Sequence, residues 1–105
     1  MDDAAIRDLF AALGPVSIRK MFGGKGIYAD GQIVALEANG EILLKADAHS
    51  APRLEAAGSR QWTYQGKKAP VKMPYWSLPD DAHDDPDLMA ELAREALAAA
   101  RRART

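Results

Sequence analysis

The chain of 105 residues contains no cysteine, has almost no net charge and lacks any long hydrophobic run. The missing cysteine excludes disulfides, thiolate metal sites and thiol catalysis together. No apolar run approaches the roughly 18 residues of a membrane span, so no membrane partner is expected. The acidic start Met1-Asp2-Asp3 is unlike a secretory signal. We therefore expect one cytoplasmic domain over residues 1–105, with no strongly basic surface for a polyanion.

Residues that carry catalysis or bind metals are also scarce. Two histidines, His49 and His83, stand 34 positions apart, which is a thin supply for a zinc or iron site. The acidic segment 80–85 lacks the ligand spacing and the glycine of a calcium loop, and it is expected to be a solvated cap of the last helix. Gly23–Gly26 fails the P-loop spacing and precedes a strand. We expect no catalytic residue, no metal, no cofactor and no enzymatic activity.

Hydrophobic spacing predicts three helices, at residues 3–13, 50–57 and 86–104. Residues suited to capping precede each of them: Asp2 or Asp3, Ser50, and Asp84 or Asp85. Between the first two helices the period changes from 3.6 to 2, which indicates strands. An extended segment carries Val16, Ile18 and Lys20 on one face, and Met21-Phe22 then breaks the alternation. At least one of Gly23 and Gly24 is therefore expected to have a positive φ or a close backbone neighbour.

Two hairpin signals organise the next strands. Asp30-Gly31 and Asn39-Gly40 suit type I′ turns, because both central residues of such a turn need positive φ. They separate extended segments at 27–29, 32–38 and 41–45, which predicts three antiparallel strands in a meander. Two more extended segments, 61–65 and 69–78, follow the second helix. The expected order is α-β-β-β-α-β-β-α, an α+β domain with an antiparallel sheet.

Two central strands are apolar on both faces, at residues 33–36 and 42–44. Three short helices can cover one face of a sheet, and an open second face would expose an apolar patch that soluble monomers seldom tolerate. Aromatic residues on neighbouring extended segments are of the type that stable interfaces favour: Trp62, Tyr64, Tyr75 and Trp76. These residues are candidates for core and dimer packing, with base stacking or peptide binding as alternatives. A homodimer is expected.

The sheet-forming half is mildly basic, with nine Lys and Arg against five Asp and Glu over residues 16–72. Its densest cluster is Lys67-Lys68 with Lys72. Lysines protect a sheet edge from aggregation, and this is the first interpretation of the cluster. Weak contact with nucleic acid at low salt is the alternative.

The segment from Lys20 to Gly31 resembles the signature of the TfoX N-terminal domain family, whose members include the Sxy/TfoX regulators of natural competence. Its motif-turn residues are Met21, Phe22, Gly23, Gly24, Gly26 and Tyr28. The likeness continues through Leu44–Asp47, Ala56–Gly58, Trp62–Tyr64 and Met73–Pro79, and so covers nearly the whole chain.

The resemblance implies the order α-β-β-β-α-β-β-α, in a fold similar to type III secretion chaperones and YgaC-like proteins, which typically pair as dimers. It implies a bacterial regulatory or protein-interaction domain in stand-alone form, with an unidentified protein partner and no catalytic residues. The expected function is that of a homodimeric, non-enzymatic adaptor. A nucleic-acid-associated transcription accessory protein, acting through Lys67, Lys68 and Lys72, is the alternative.

Overall fold

A computed structural model describes residues 1–21 and 23–103. These residues form three α-helices and six β-strands in an α+β arrangement. The helices are α1 (Asp3–Leu9), α2 (Ala51–Ala56) and α3 (Pro86–Arg102). The strands are β1 (Ser17–Met21), β2 (Gly24–Ala29), β3 (Gln32–Ala38), β4 (Glu41–Lys45), β5 (Gln61–Gln65) and β6 (Pro70–Ser77). The predicted α+β class is confirmed, and the extended segment predicted near Val16–Lys20 provides β1, a fourth strand before α2.

The strands form one antiparallel sheet in the order β1-β2-β3-β4-β6-β5. Both predicted hairpin turns are present. Asp30 and Gly31 have φ of 52° and 74°, and Asn39 and Gly40 have φ of 54° and 79°. Positive φ at both central residues gives a turn whose twist matches that of the flanking strands. The two turns set the β2-β3-β4 meander, and a bulge beside Ile27 and Tyr28 bends its first pair.

All three helices pack on one face of this sheet. Ile6 of α1, Leu54 of α2 and Leu92 of α3 belong to a single buried cluster with strand residues such as Ile27 and Leu44. Along α3 the residues that belong to this cluster follow helical spacing: Met89, Leu92, Ala93, Ala96 and Ala100. Several of them are alanines, whose small side chains let the helix lie close to the sheet. Among the described residues, none of the helices has the length and apolar character needed to cross a membrane.

Local capping explains where the helices begin. The Asp2 carboxylate accepts a hydrogen bond from the backbone N–H of Ala5 at 2.8 Å, and Asp85 accepts two from the first turn of α3. Ser50 precedes α2 as predicted, but its side chain does not cap the helix. The Asp47 carboxylate instead accepts from the N–H groups of His49 and Ser50. The capping carboxylate therefore stands one turn earlier than we predicted.

The hairpin of β5 and β6 extends beyond the rest of the sheet. Strand β4 pairs with β6 through Lys45 and Tyr75, while β6 residues nearer the turn pair with β5 alone. We call residues 63–72 the arm. A two-stranded ribbon without a third strand has little apolar area to bury. The arm accordingly carries two of the most exposed large hydrophobic side chains, Tyr64 at 56% and Val71 at 49% exposure.

Candidate interaction surface

The face of the sheet opposite the helices carries apolar and aromatic side chains that no described helix covers. We call it the uncovered face, defined by Arg19, Met21, Tyr28, Ile33, Leu36, Glu41, Leu43, Lys45, Trp62, Tyr64, Val71, Met73 and Tyr75. Strand pairing places them together: Leu43 lies opposite Leu36, and Tyr75 lies opposite Lys45. Leu43 and Tyr75 are buried, but they are not part of the cluster beneath the helices.

Side chains of the uncovered face shield one another in the single chain. The Lys45 ammonium lies 5.2 Å from the centre of the Tyr75 ring, and the Arg19 guanidinium lies 5.0 Å from that of Tyr28. A cation over an aromatic face is attracted by the ring quadrupole, and its aliphatic stem covers apolar surface. Burial raises the pKa of the Tyr75 hydroxyl, with Tyr28 nearby adding to the effect. The floor of this face is therefore packed, with half-buried apolar residues around it.

Each glycine of the motif is required for a different physical reason. Gly23 has φ of 78° in the turn between β1 and β2, which confirms the prediction of a positive φ at Gly23 or Gly24. A Cβ at Gly24 would lie within 3.0 Å of the Glu37 carbonyl oxygen on the neighbouring strand. A Cβ at Gly26 would lie 2.6 Å from the Met21 sulfur.

The other motif residues take their places around these glycines. The missing side chain at Gly26 lets Met21 and Tyr28 approach each other on the uncovered face, since the same Cβ would also lie 3.1 Å from the Tyr28 ring. Phe22, which belongs to the same motif, lies outside the described residues. The motif therefore serves both the backbone of the β1–β2 hairpin and the packing of the uncovered face.

Three of the four predicted aromatic residues meet on the uncovered face. Trp62 and Tyr64 contact edge to face with ring centres 6.4 Å apart, and Tyr75 lies on the adjacent strand. Trp76 is the exception. It lies opposite Leu44 and packs against the cluster beneath the helices, because neighbouring residues of a strand point to opposite faces. Trp76 is therefore a core residue and not part of the predicted dimer surface.

The three predicted lysines do not share one surface. Lys67 and Lys68 occupy the turn at the tip of the arm. Lys72 lies in β6 opposite Thr63, next to the Tyr64–Val71 pair, and so points to the other face of the arm. All three are exposed, and none takes part in an ion pair among residues 1–21 and 23–103. The cluster predicted from the sequence is therefore divided between the tip and one face of the arm.

A polar cleft of about 470 Å³ lies at the end of the sheet away from the arm tip. Its lining includes Glu41 and Ser77 of the sheet together with Asp80, Asp81 and His83 from the 3-10 turn that follows β6. Within the described part of the chain, no group of three His, Asp or Glu side chains has the arrangement of a metal site. The cleft shows that Asp80 and Asp81 lie near Glu41 at this end of the sheet, between the last sheet residues and the segment that follows α2.

Comparison with models of known families identifies the family of this domain. The model of the TfoX N-terminal domain matches residues 8–100. The chain belongs to the TfoX N-terminal domain family. A search of the curated proteins found no match. The TfoX-type match spans all the described strands but only Asp8 and Leu9 of α1, so the motif turn and the uncovered face both lie within it.

The charged residues of this TfoX-type surface were not predicted from the sequence. Glu41, Leu43 and Lys45 alternate along β4 and project from the uncovered face, with the acid at one end and the base at the other. The signal was present, because a period of two after the Asn39-Gly40 turn puts these three residues on one face. Because β4 carries apolar residues on both faces, the prediction considered only its hydrophobic positions.

Proposed function

We propose that this TfoX-type domain acts as a non-enzymatic regulatory adaptor that works as a homodimer in the bacterial cytoplasm. The observation that carries the proposal is the uncovered face, which has aromatic and aliphatic residues on several adjacent strands. Family membership supports the regulatory role, and the resemblance brings no catalytic residues with it.

The apolar character of the uncovered face favours self-association over a monomeric state. The half-buried Ile33, Leu36 and Met73 surround the packed floor, and the arm adds the exposed pair Tyr64 and Val71 on the same side. Contiguous apolar surface of this kind, rimmed by charged groups, is typical of protein interfaces. A second copy covers the patch on both chains at once, because a two-fold interface is self-complementary.

Sedimentation velocity tests the dimer directly. We expect a species near twice 11.4 kDa at low micromolar concentration, in reversible exchange with the monomer. A clean monomer at about 100 µM would contradict the proposal, since mass action at that concentration populates even weak dimers.

The adaptor role needs a second measurement. Cross-linked capture from the native cell should retain the same protein partner with the wild type and with a surface control such as Arg94→Glu. A binding titration with a labelled single-stranded oligonucleotide, repeated across salt, tests the nucleic-acid alternative. Binding that weakens steeply with salt and disappears in Lys67→Glu/Lys68→Glu would favour that alternative over the adaptor.

A further inference from the structure

The polar cleft of about 470 Å³ is a second recessed surface of the domain. Its lining joins three parts of the chain: the start of β4, the segment that follows α2, and the end of β6 with the turn after it. The volume lies within the range of about 300–1,000 Å³ that is typical of ligand pockets. Of the residues that define the uncovered face, only Glu41 also lines the cleft. The cleft and the uncovered face can therefore hold different occupants.

Apolar core residues contribute to the lining of the cleft. Ile42 is 1% exposed and Leu78 is 6% exposed, and both belong to the lining. The backbone N–H of Leu78 donates to the Ile42 carbonyl at 3.0 Å, which holds the two residues side by side. A long side chain with an aliphatic stem and a charged head suits such a site, because its stem covers apolar surface while its head stays among polar groups.

Carboxylates dominate the charge of the lining. Glu41, Asp80 and Asp81 stand against Arg60 and His83. Glu41 lies 3.5 Å from the Arg60 guanidinium, whose side chain is 81% exposed. Over the part of the chain that the structure describes, Asp80 and Asp81 take part in no ion pair. The cleft therefore attracts a cation and disfavours a phosphate group.

Two buried serine hydroxyls at the cleft have unused hydrogen-bonding capacity. Ser77 lines the cleft and is 6% exposed; its Oγ accepts from the Arg60 N–H at 2.9 Å and, within residues 1–21 and 23–103, donates to no acceptor. Ser59 lies between the lining residues Gly58 and Arg60, and its buried Oγ has no partner in the same part of the chain. Buried polar groups are normally paired, so these donors indicate an acceptor supplied from outside the chain, such as a peptide carbonyl.

Building on the proposed adaptor role, we propose that this cleft binds a lysine or arginine side chain of the protein partner, presented on an extended peptide segment. The cationic head lies beside Asp80 and Asp81, where opposite charges form charge-assisted hydrogen bonds. The aliphatic stem lies on Ile42 and Leu78. The Ser77 hydroxyl donates to a carbonyl of the segment. The second copy of the proposed homodimer occupies the uncovered face, so one chain holds its copy and its partner at different surfaces.

A titration with a defined peptide tests the cleft. The probe is acetyl-Gly-Leu-Lys-Leu-Gly-amide at physiological salt, followed by heteronuclear NMR of the full chain, together with the same peptide carrying Arg or Glu in place of Lys. We expect the amide signals of Ile42, Gly58 and Ser77 to shift and saturate with the lysine or arginine peptide and to stay unchanged with the glutamate peptide. Equal binding of spermidine, which is cationic but has no peptide carbonyl, would overturn the assignment to a peptide segment.

Paired variants separate the cleft from general electrostatic attraction. Asp80→Asn/Asp81→Asn removes two carboxylates of the lining, and Asp84→Asn/Asp87→Asn removes two exposed carboxylates outside the lining. We expect the first variant to bind the lysine peptide at least about fivefold more weakly, as the loss of two exposed charge pairs implies. The second variant should stay within about twofold of the wild type, because salt screens more distant exposed charges. Equal weakening in both would contradict a specific site. Circular dichroism confirms that each variant is folded.

Sedimentation velocity separates this inference from the proposed homodimer. Asp80→Asn/Asp81→Asn should dimerise like the wild type, and a weaker dimer would assign the cleft to a second copy and overturn the inference. A wild type that dimerises while no lysine or arginine peptide shifts the cleft signals would overturn the inference and leave the homodimer intact. A monomeric wild type that binds the lysine peptide in the cleft would overturn the homodimer and support the inference.

Discussion

Gly24 offers the sharpest test of the structure, because glycine is required there for space and not for an unusual φ. The residue lies at the start of β2, opposite Ala38 of β3. A Cβ at this position would lie within 3.0 Å of the Glu37 carbonyl oxygen and 3.3 Å from its carbon. At the neighbouring Gly23, glycine is required for the backbone conformation and not for space. Nothing lies within 4 Å of its Cβ position, but its φ of 78° is strained for any other residue.

Gly23→Ala and Gly24→Ala are therefore expected to lower the free energy of unfolding by different amounts. Gly23→Ala costs about 1–2 kcal/mol of unfolding free energy, the usual cost of left-handed backbone. Gly24→Ala needs β2 and β3 to move apart, since a backbone carbonyl cannot rotate away as a side chain can. Overpacking in a fixed core costs about 1–3 kcal/mol and sometimes more, and we expect about 3 kcal/mol here. That loss is a large part of the roughly 5–15 kcal/mol that holds a small domain together.

Urea unfolding followed by circular dichroism measures both effects. All variants must be compared at one protein concentration, because self-association adds concentration-dependent stability. We expect the midpoint of Gly24→Ala to fall further than that of Gly23→Ala, with a similar slope for each. A Gly24→Ala variant as stable as Gly23→Ala, or more stable, would refute the steric reasoning and the β2–β3 register with it.

Two further perturbations address the helical layer. Phe10→Ala removes a side chain with no exposed surface and should cost about 3–5 kcal/mol, against clearly less for the half-buried Leu9→Ala, both by urea unfolding. The Arg102 guanidinium holds the pKa of the Asp47 carboxyl well below its usual range, so that its stabilisation is present above pH 4 and is lost as the pH falls below that. Asp47→Asn should therefore lower stability at pH 7, by at most about 1 kcal/mol for so exposed a pair, and should flatten the loss of stability below pH 4. An unchanged acid profile would contradict the role of this ion pair.

Much of the fold could be predicted from local sequence. Turn chemistry fixed the meander, because Asp30-Gly31 and Asn39-Gly40 adopt the positive φ values that their residue types allow. Helix starts followed from capping residues, and Gly14, with φ of 77°, ends the 3-10 turn Ala11–Leu13 that follows α1. The prediction that Ser50 caps α2 was wrong. Serine often caps helices, but here the Asp47 carboxylate accepts from the free N–H groups of the turn before α2. Local propensity cannot decide between two polar residues three positions apart.

The interaction surface could be predicted only in part. Aromatic composition indicated Trp62, Tyr64 and Tyr75, but it also included Trp76, which alternation along β6 places on the opposite face from Tyr75. The arm also could not be predicted from the local sequence. It arises because β6 is longer than β4, and only the pairing of Tyr75 with Lys45 shows where the third strand stops. Strand length and register are properties of the folded sheet.

The lysines at the arm tip limit how copies of the chain can associate through the edge of the sheet. Strand β5 is an edge strand, and nearby lysines oppose pairing with further copies along that edge. These two lysines thus disfavour open-ended association along the strand and leave the uncovered face for the closed two-fold arrangement of the proposed homodimer. Because the repulsion at this edge is electrostatic and at exposed positions, added salt should weaken it and increase association along β5.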